Sequence, residues 1–92
     1  MNESLHDWLL LSLTLEWASG ELVIALRDVA SQPRMLVAKE AQLLVAPRVQ
    51  PWGESDSILA HQIQRDGKAV TLQLEMQSGD TLTIKARSVA LY

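Results

Sequence analysis

The chain has 92 residues, with eight Lys or Arg against eleven Asp or Glu for a net charge of -3; 48% of it is hydrophobic and it contains no cysteine. This length supports one core and hence one domain over 1–92, and the missing cysteine excludes disulfides, thiolate nucleophiles, thiolate zinc sites and iron-sulfur clusters. Arg27, Arg34, Lys39, Arg48, Arg65, Lys68, Lys85 and Arg87 are spread along the chain, so no basic stripe argues for nucleic acid.

In chain order, Met1-Asn2-Glu3-Ser4 carries no positive leader, and the apolar run from Trp8 to Leu15 is far short of the roughly 20 residues that span a membrane. The expectation is a cytoplasmic protein with no membrane partner. From Leu9 to Trp17 every odd position is apolar (Leu9, Leu11, Leu13, Leu15, Trp17), a period of two that predicts a strand with its odd face buried. Trp8 and Leu10 make the first half apolar on both faces. A helix over Ser4–Leu11 is the competing reading, because leucine is a good helix former.

Ser19-Gly20 signals a turn, and Leu22, Ile24 and Leu26 then alternate with Glu21, Ala25 and Arg27, so strands one and two should form a hairpin. Met35-Leu36-Val37 predicts a third strand ending at Lys39-Glu40, and Leu43-Leu44-Val45 a fourth closed by Pro47. Their short link lacks glycine, so a single bulged strand is the alternative. Ile58 to Gln64, the Asp66-Gly67 turn, the alternating Val70 to Met76, the Ser78-Gly79-Asp80 turn and the alternating Leu82 to Ala86 predict a three-stranded meander. About seven short antiparallel strands imply an all-β sandwich or a partly open barrel. Positions apolar on both faces and unpaired edges further imply a homodimer or another protein partner.

Candidate chemistry is sparse. His6-Asp7 pairs a base with a carboxylate, but adjacent strand residues face opposite ways, so the two converge only where the backbone bends; otherwise Asp7 shapes a turn and His6 bonds nearby backbone. His61 shares the odd register of strand five with Leu59 and Ile63 and reads as an inward-facing histidine. Nothing in the spacing assembles a metal site, a nucleophile elbow or a phosphate loop, so no cofactor is expected, and the enzyme question stays open with the balance against catalysis.

The longest irregular stretch runs from Pro47 to Ser57. Trp52 and Arg48 there are residue types common at interface hot spots, and Glu54, Ser55 and Asp56 add polar groups. The structural reading makes Trp52, between Pro51 and Gly53, a plug over a core end, and core packing accounts for Trp8 and Trp17.

His6-Asp7-Trp8-Leu9-Leu10-Leu11-Ser12, Pro51-Trp52-Gly53 with Ser55, and Gln77-Ser78-Gly79-Asp80 resemble stretches of small bacterial β-domain proteins, some of them similar to toxin-immunity proteins. The resemblance implies binding to a protein partner and brings no catalytic residue. Together these readings predict a non-enzymatic binding module with Trp52, Arg48, Ser55, His6 and Asp7 as its contact residues. The alternative is a small-molecule-binding or hydrolytic barrel built on His6, Asp7, Arg48 and His61.

Overall fold

A computed structural model describes residues 3–49 and 56–92. Those residues form eight strands: β1 (Leu9–Glu16), β2 (Glu21–Arg27), β3 (Pro33–Lys39), β4 (Leu43–Val45), β5 (Ile58–Asp66), β6 (Ala69–Met76), β7 (Thr81–Ala86) and β8 (Ser88–Leu91). They make two four-stranded antiparallel sheets, β1-β2-β3-β8 and β4-β7-β6-β5. The expected hairpin of strands one and two and the expected meander of strands five to seven are both present. The barrel is not closed.

The two sheets are joined at one corner. β3 continues into β4, and β7 into β8, so one bent ribbon pairs β3 with β8 in the first sheet and β4 with β7 in the second. The bend falls at Glu40, whose φ is +52°, and at Arg87, whose N–H donates to Lys39 O at 3.0 Å. The bulged single strand weighed as an alternative is close to this arrangement, since a strand that turns a corner between layers needs such an irregularity. Ser88–Leu91, the strand beyond the seven expected, follows Arg87 with no turn residue to announce it.

Alternation then fills the core. Leu22, Ile24 and Leu26 of β2, Leu36 and Ala38 of β3, Leu72, Leu74 and Met76 of β6, and Leu82, Ile84 and Ala86 of β7 join one buried cluster with Leu5, Trp8 and Ile58. The segment before β1 is a turn in place of the competing helix: Trp8 N–H closes onto Leu5 O at 3.0 Å, and both side chains are buried.

Four expectations need correction. β1 carries a bulge between Leu10 and Ser12, so Leu10 faces Leu26, Leu13 faces Ile24 and Leu15 faces Leu22, while Leu9 pairs with Arg27 and Leu11 is half exposed. One extra residue reverses the facing of everything before it. A second bulge, between Ile58 and Ala60, removes Leu59 from the inward register. The β5–β6 turn is Gly67-Lys68, because Asp66 still pairs with Ala69; Gly67, at φ +61°, fills the first turn position that a glycine-led hairpin requires. Trp17 is no core residue: it lies in the β1–β2 turn, past the last pair Glu16–Glu21, and is 88% exposed because no strand faces it there.

Candidate functional site

A break in the sandwich lies between β1 and the end of β4. Pro47 has no N–H to give, and the β4–β7 ladder ends at Val45–Thr83, just short of it. The chain then leaves the sheet and opens a cleft of about 340 Å³ lined by Leu10 to Leu13, Pro47, Arg48, Asp56 and the β6–β7 end. Met76 and Leu82 floor it from the core. Across from Arg48, Asp56 is held by its backbone: its carbonyl accepts the Leu10 N–H at 2.6 Å, and Leu9 bridges Ser57.

The far wall is the β6–β7 turn. Its Asp80 is only 6% exposed, and its carboxylate accepts the Ser78 hydroxyl at 3.1 Å. Gly79, at φ +96°, donates to Met76 O at 2.9 Å, and Met76 N–H donates to Asp80 O at 2.8 Å. Gln77 to Asp80 is thus a self-bonded turn whose acid forms part of the cleft.

His6 and Asp7 do converge. Asp7 has φ +66°, the left-handed bend that a strand would not supply, and His6 Nε2 lies 3.4 Å from Asp7 Oδ2. The other ring nitrogen, Nδ1, donates to Leu59 O at 2.7 Å. A catalytic histidine turns one nitrogen to its carboxylate and the other to substrate; here backbone takes the second place. Asp7 N–H donates to Ile58 O at 2.8 Å, and Gln77 Nε2 donates to Asp7 Oδ1 at 3.4 Å. The group ties the incoming chain to β5.

His61 pairs opposite Leu74 on the core-side register of β5 and is half-buried, as its expected inward facing requires. It lines a separate cleft with Gln73 and Thr83, whereas Arg48 lines the cleft beside β1. The four residues of the alternative site therefore do not share a cavity. Among the described residues no group of three or more His, Cys, Asp or Glu could hold a metal ion, and no helix is long and apolar enough to cross a membrane. Trp52 and Ser55 lie outside the described residues.

Arg34 was not singled out in the sequence, yet it organises a corner. Its guanidinium lies 4.9 Å from the centre of the Trp8 ring, bonds Glu3 through both nitrogens at 2.6 and 3.2 Å, lies 3.5 Å from Asp28, and donates Nε–H to Tyr92 O at 2.8 Å. The hydrogen bond from Arg34 holds the Glu3 carboxyl below its usual range. Asp28 is held low first by the Gln32 N–H, then by those of Ala30 and Arg34, and Arg34 is itself raised, chiefly by Glu3. The available signal was register: positions 34, 36 and 38 face inward on β3, and a cation there requires partners.

Comparison with family models, with curated proteins and with solved structures finds no match.

Proposed function

We propose that this chain is a non-enzymatic protein-binding module that holds its partner at the cleft beside Arg48. One observation carries the reading: Arg48 lines a cleft together with Leu10, Leu13, Pro47, Met76 and Leu82, and Val49, next to it in the chain, is 78% exposed. Apolar anchors flanked by arginine are the composition of an interface centre. Burying partner side chains against Leu10, Leu13 and Pro47 supplies the attraction, and Arg48 and Asp56 supply polar bonds that fix orientation. An immunity-like role is one form of this reading and rests on the resemblance in His6–Ser12, in Pro51–Gly53 with Ser55, and in Gln77–Asp80.

The test immobilises wild type, Arg48→Glu, Val49→Asp and a control, Val29→Asp, which alters an exposed valine in the β2–β3 loop. The expected outcome is a protein retained by wild type and by the control but lost from the other two, then confirmed by titration of the purified pair. Equal retention on all four removes the cleft from the account. A second reading, a small ligand in the same cleft, is favoured by its volume, which is within the range of about 300–1,000 Å³ usual for such sites. A small-molecule screen by thermal shift, with Arg48→Glu as the insensitive variant, tests it.

A further inference from the structure

The sandwich has four edge strands, and three are protected. β8 has four residues, β4 has three and ends beside Pro47, and β5 carries a bulge and the polar run Gln62 to Asp66 around Ile63. β1 has eight residues, Leu-Leu-Leu-Ser-Leu-Thr-Leu-Glu, with one charge at the last position. Its start is covered, since Leu9 bridges Ser57 and Leu10 bonds Asp56. Among the described residues, Ser12 to Glu16 pairs only with β2. Natural edges are blunted by lysine, proline, bulges or shortness; the bulge of β1 lies at its start, between Leu10 and Ser12, and from there to Glu16 the strand holds no lysine and no proline.

Hydrogen-bonding parity shows which groups face out. Gly20 N–H donates to Glu16 O at 2.9 Å, so Glu16 directs its polar groups toward β2. By alternation Ser12 and Thr14 do the same, and Leu13 and Leu15 direct their N–H and C=O away from the sheet. Their side chains lie on the core face beside Ile24 and Leu22.

We propose that this edge pairs with the same edge of a second copy, antiparallel about a two-fold axis at Thr14, joining the two four-stranded sheets into one. The partner is a second copy because the stretch is complementary to itself. With Thr14 opposite Thr14, Leu13 meets Leu15 in both directions, and these are the residues whose outward groups form the bonds. Ser12 meets Glu16, a hydroxyl against a carboxylate, so the only charge on the strand never meets its own kind. Faces also match: Ser12, Thr14 and Glu16 lie outward in both copies and the leucines inward. Continuing the register places Trp17, the most exposed large apolar residue among those described, near Leu11 of the other copy, itself 50% exposed. Three exposed apolar side chains, Leu11, Leu15 and Trp17, are covered by one contact. This contact shares Leu11 to Leu13 with the wall of the cleft, and the tests separate the two readings: Arg48→Glu bears on the cleft partner and leaves the edge intact, whereas Thr14→Lys bears on the second copy.

Analytical ultracentrifugation of wild type across the micromolar range should show a species of twice 10.2 kDa. Thr14→Lys, which sets two like charges across the axis, should raise the dimer dissociation constant by about tenfold or more while leaving the circular dichroism unchanged. The chain has no cysteine, so Thr14→Cys gives a clean crosslinking test. Thr14 pairs with itself at a non-hydrogen-bonded position, where Cα atoms are about 4.5 Å apart and a disulfide closes. Thr14→Cys should therefore oxidise to a covalent dimer, and Thr71→Cys, on the outer face of β6, should not. A wild type that stays monomeric at high micromolar concentration overturns the proposal. So does a dimer that persists in Thr14→Lys and gives no Thr14→Cys crosslink, since its contact is then another face.

Discussion

β6 and β1 have nearly the same pattern and opposite fates. Each has eight residues and alternates apolar with polar side chains, yet Val70, Leu72, Leu74 and Met76 are buried, whereas no residue of β1 is, although it holds five leucines. The difference is position. β6 lies between β5 and β7 and faces the other sheet, while β1 is an edge with one neighbour and a bulge that turns Leu11 outward. Alternation encodes the pleat, but it does not say how many neighbours a strand will have. A strand with a core composition at an edge is where the molecule retains a capacity to associate.

The largest effects should separate the two ends of β1. Trp8→Ala, at the buried end, should cost about 3–5 kcal/mol in urea unfolding, a large part of the roughly 5–14 kcal/mol that a chain of this size has. Trp17→Ala, measured at a concentration where the protein is monomeric, should change stability by less than about 0.5 kcal/mol. A Trp17 variant as damaging as Trp8→Ala would mean that the turn packs against something within the monomer. Next in size is the strand comparison: Leu72→Ala should cost about 2–5 kcal/mol, and Leu11→Ala under about 0.5 kcal/mol in the monomer.

These contrasts also mark what was legible. The meander and the first hairpin were readable because turn residues and period-two runs coincide there, as in Gly67 before Val70 to Met76. The bulges at Leu11 and Leu59 were not, since an extra residue in a leucine-rich run leaves the composition unchanged and alters only the facing. β8 was hidden because its strand identity comes from pairing with β3, a non-local fact. At the candidate site, Arg48 was identified from its loop and does line the cleft. Asp56 was noted only as a polar group of that loop and Asp80 only as a turn residue, because their places depend on how β1, β5 and the β6–β7 turn meet. The convergence of His6 with Asp7 required a left-handed Asp7, which an aspartate permits but does not announce.

A smaller effect should distinguish the β1–β2 turn from the β5–β6 turn. Gly20 and Gly67 are both left-handed, at φ +73° and +61°, so an alanine at either carries a backbone cost of about 1–2 kcal/mol. A Cβ at Gly20 would also lie 3.3 Å from Ala41 N and from Glu40 Cα, while one at Gly67 meets nothing within 4 Å. Ala41 N–H donates to Gly20 O at 2.8 Å, so the β1–β2 turn and the ribbon corner cannot part without losing that bond. Gly20→Ala should therefore destabilise more than Gly67→Ala. Equal losses would mean that the corner yields freely.

The smallest effect concerns how the buried end of β1 is held, and it depends on pH. Glu3 and Asp28 have folded-state pKa values below their ordinary ones, through the Arg34 bond in the first case and the Gln32 N–H in the second. A carboxylate of this kind contributes its full stabilisation above the unfolded-state pKa and loses it as pH falls through the lower folded-state value. Wild type should thus be more stable than Glu3→Gln at pH 7, and the two unfolding midpoints should converge below about pH 4 as the acid titrates. Asp28→Asn should follow the same course, although its side-chain oxygen can still accept from Ala30 and Gln32. Because Glu3 is exposed, added salt should narrow its gap at neutral pH as well. A Glu3→Gln difference that stays constant from pH 7 to pH 2 would show that Arg34 holds Trp8 by ring contact and the Tyr92 carbonyl, with the carboxylates contributing nothing measurable.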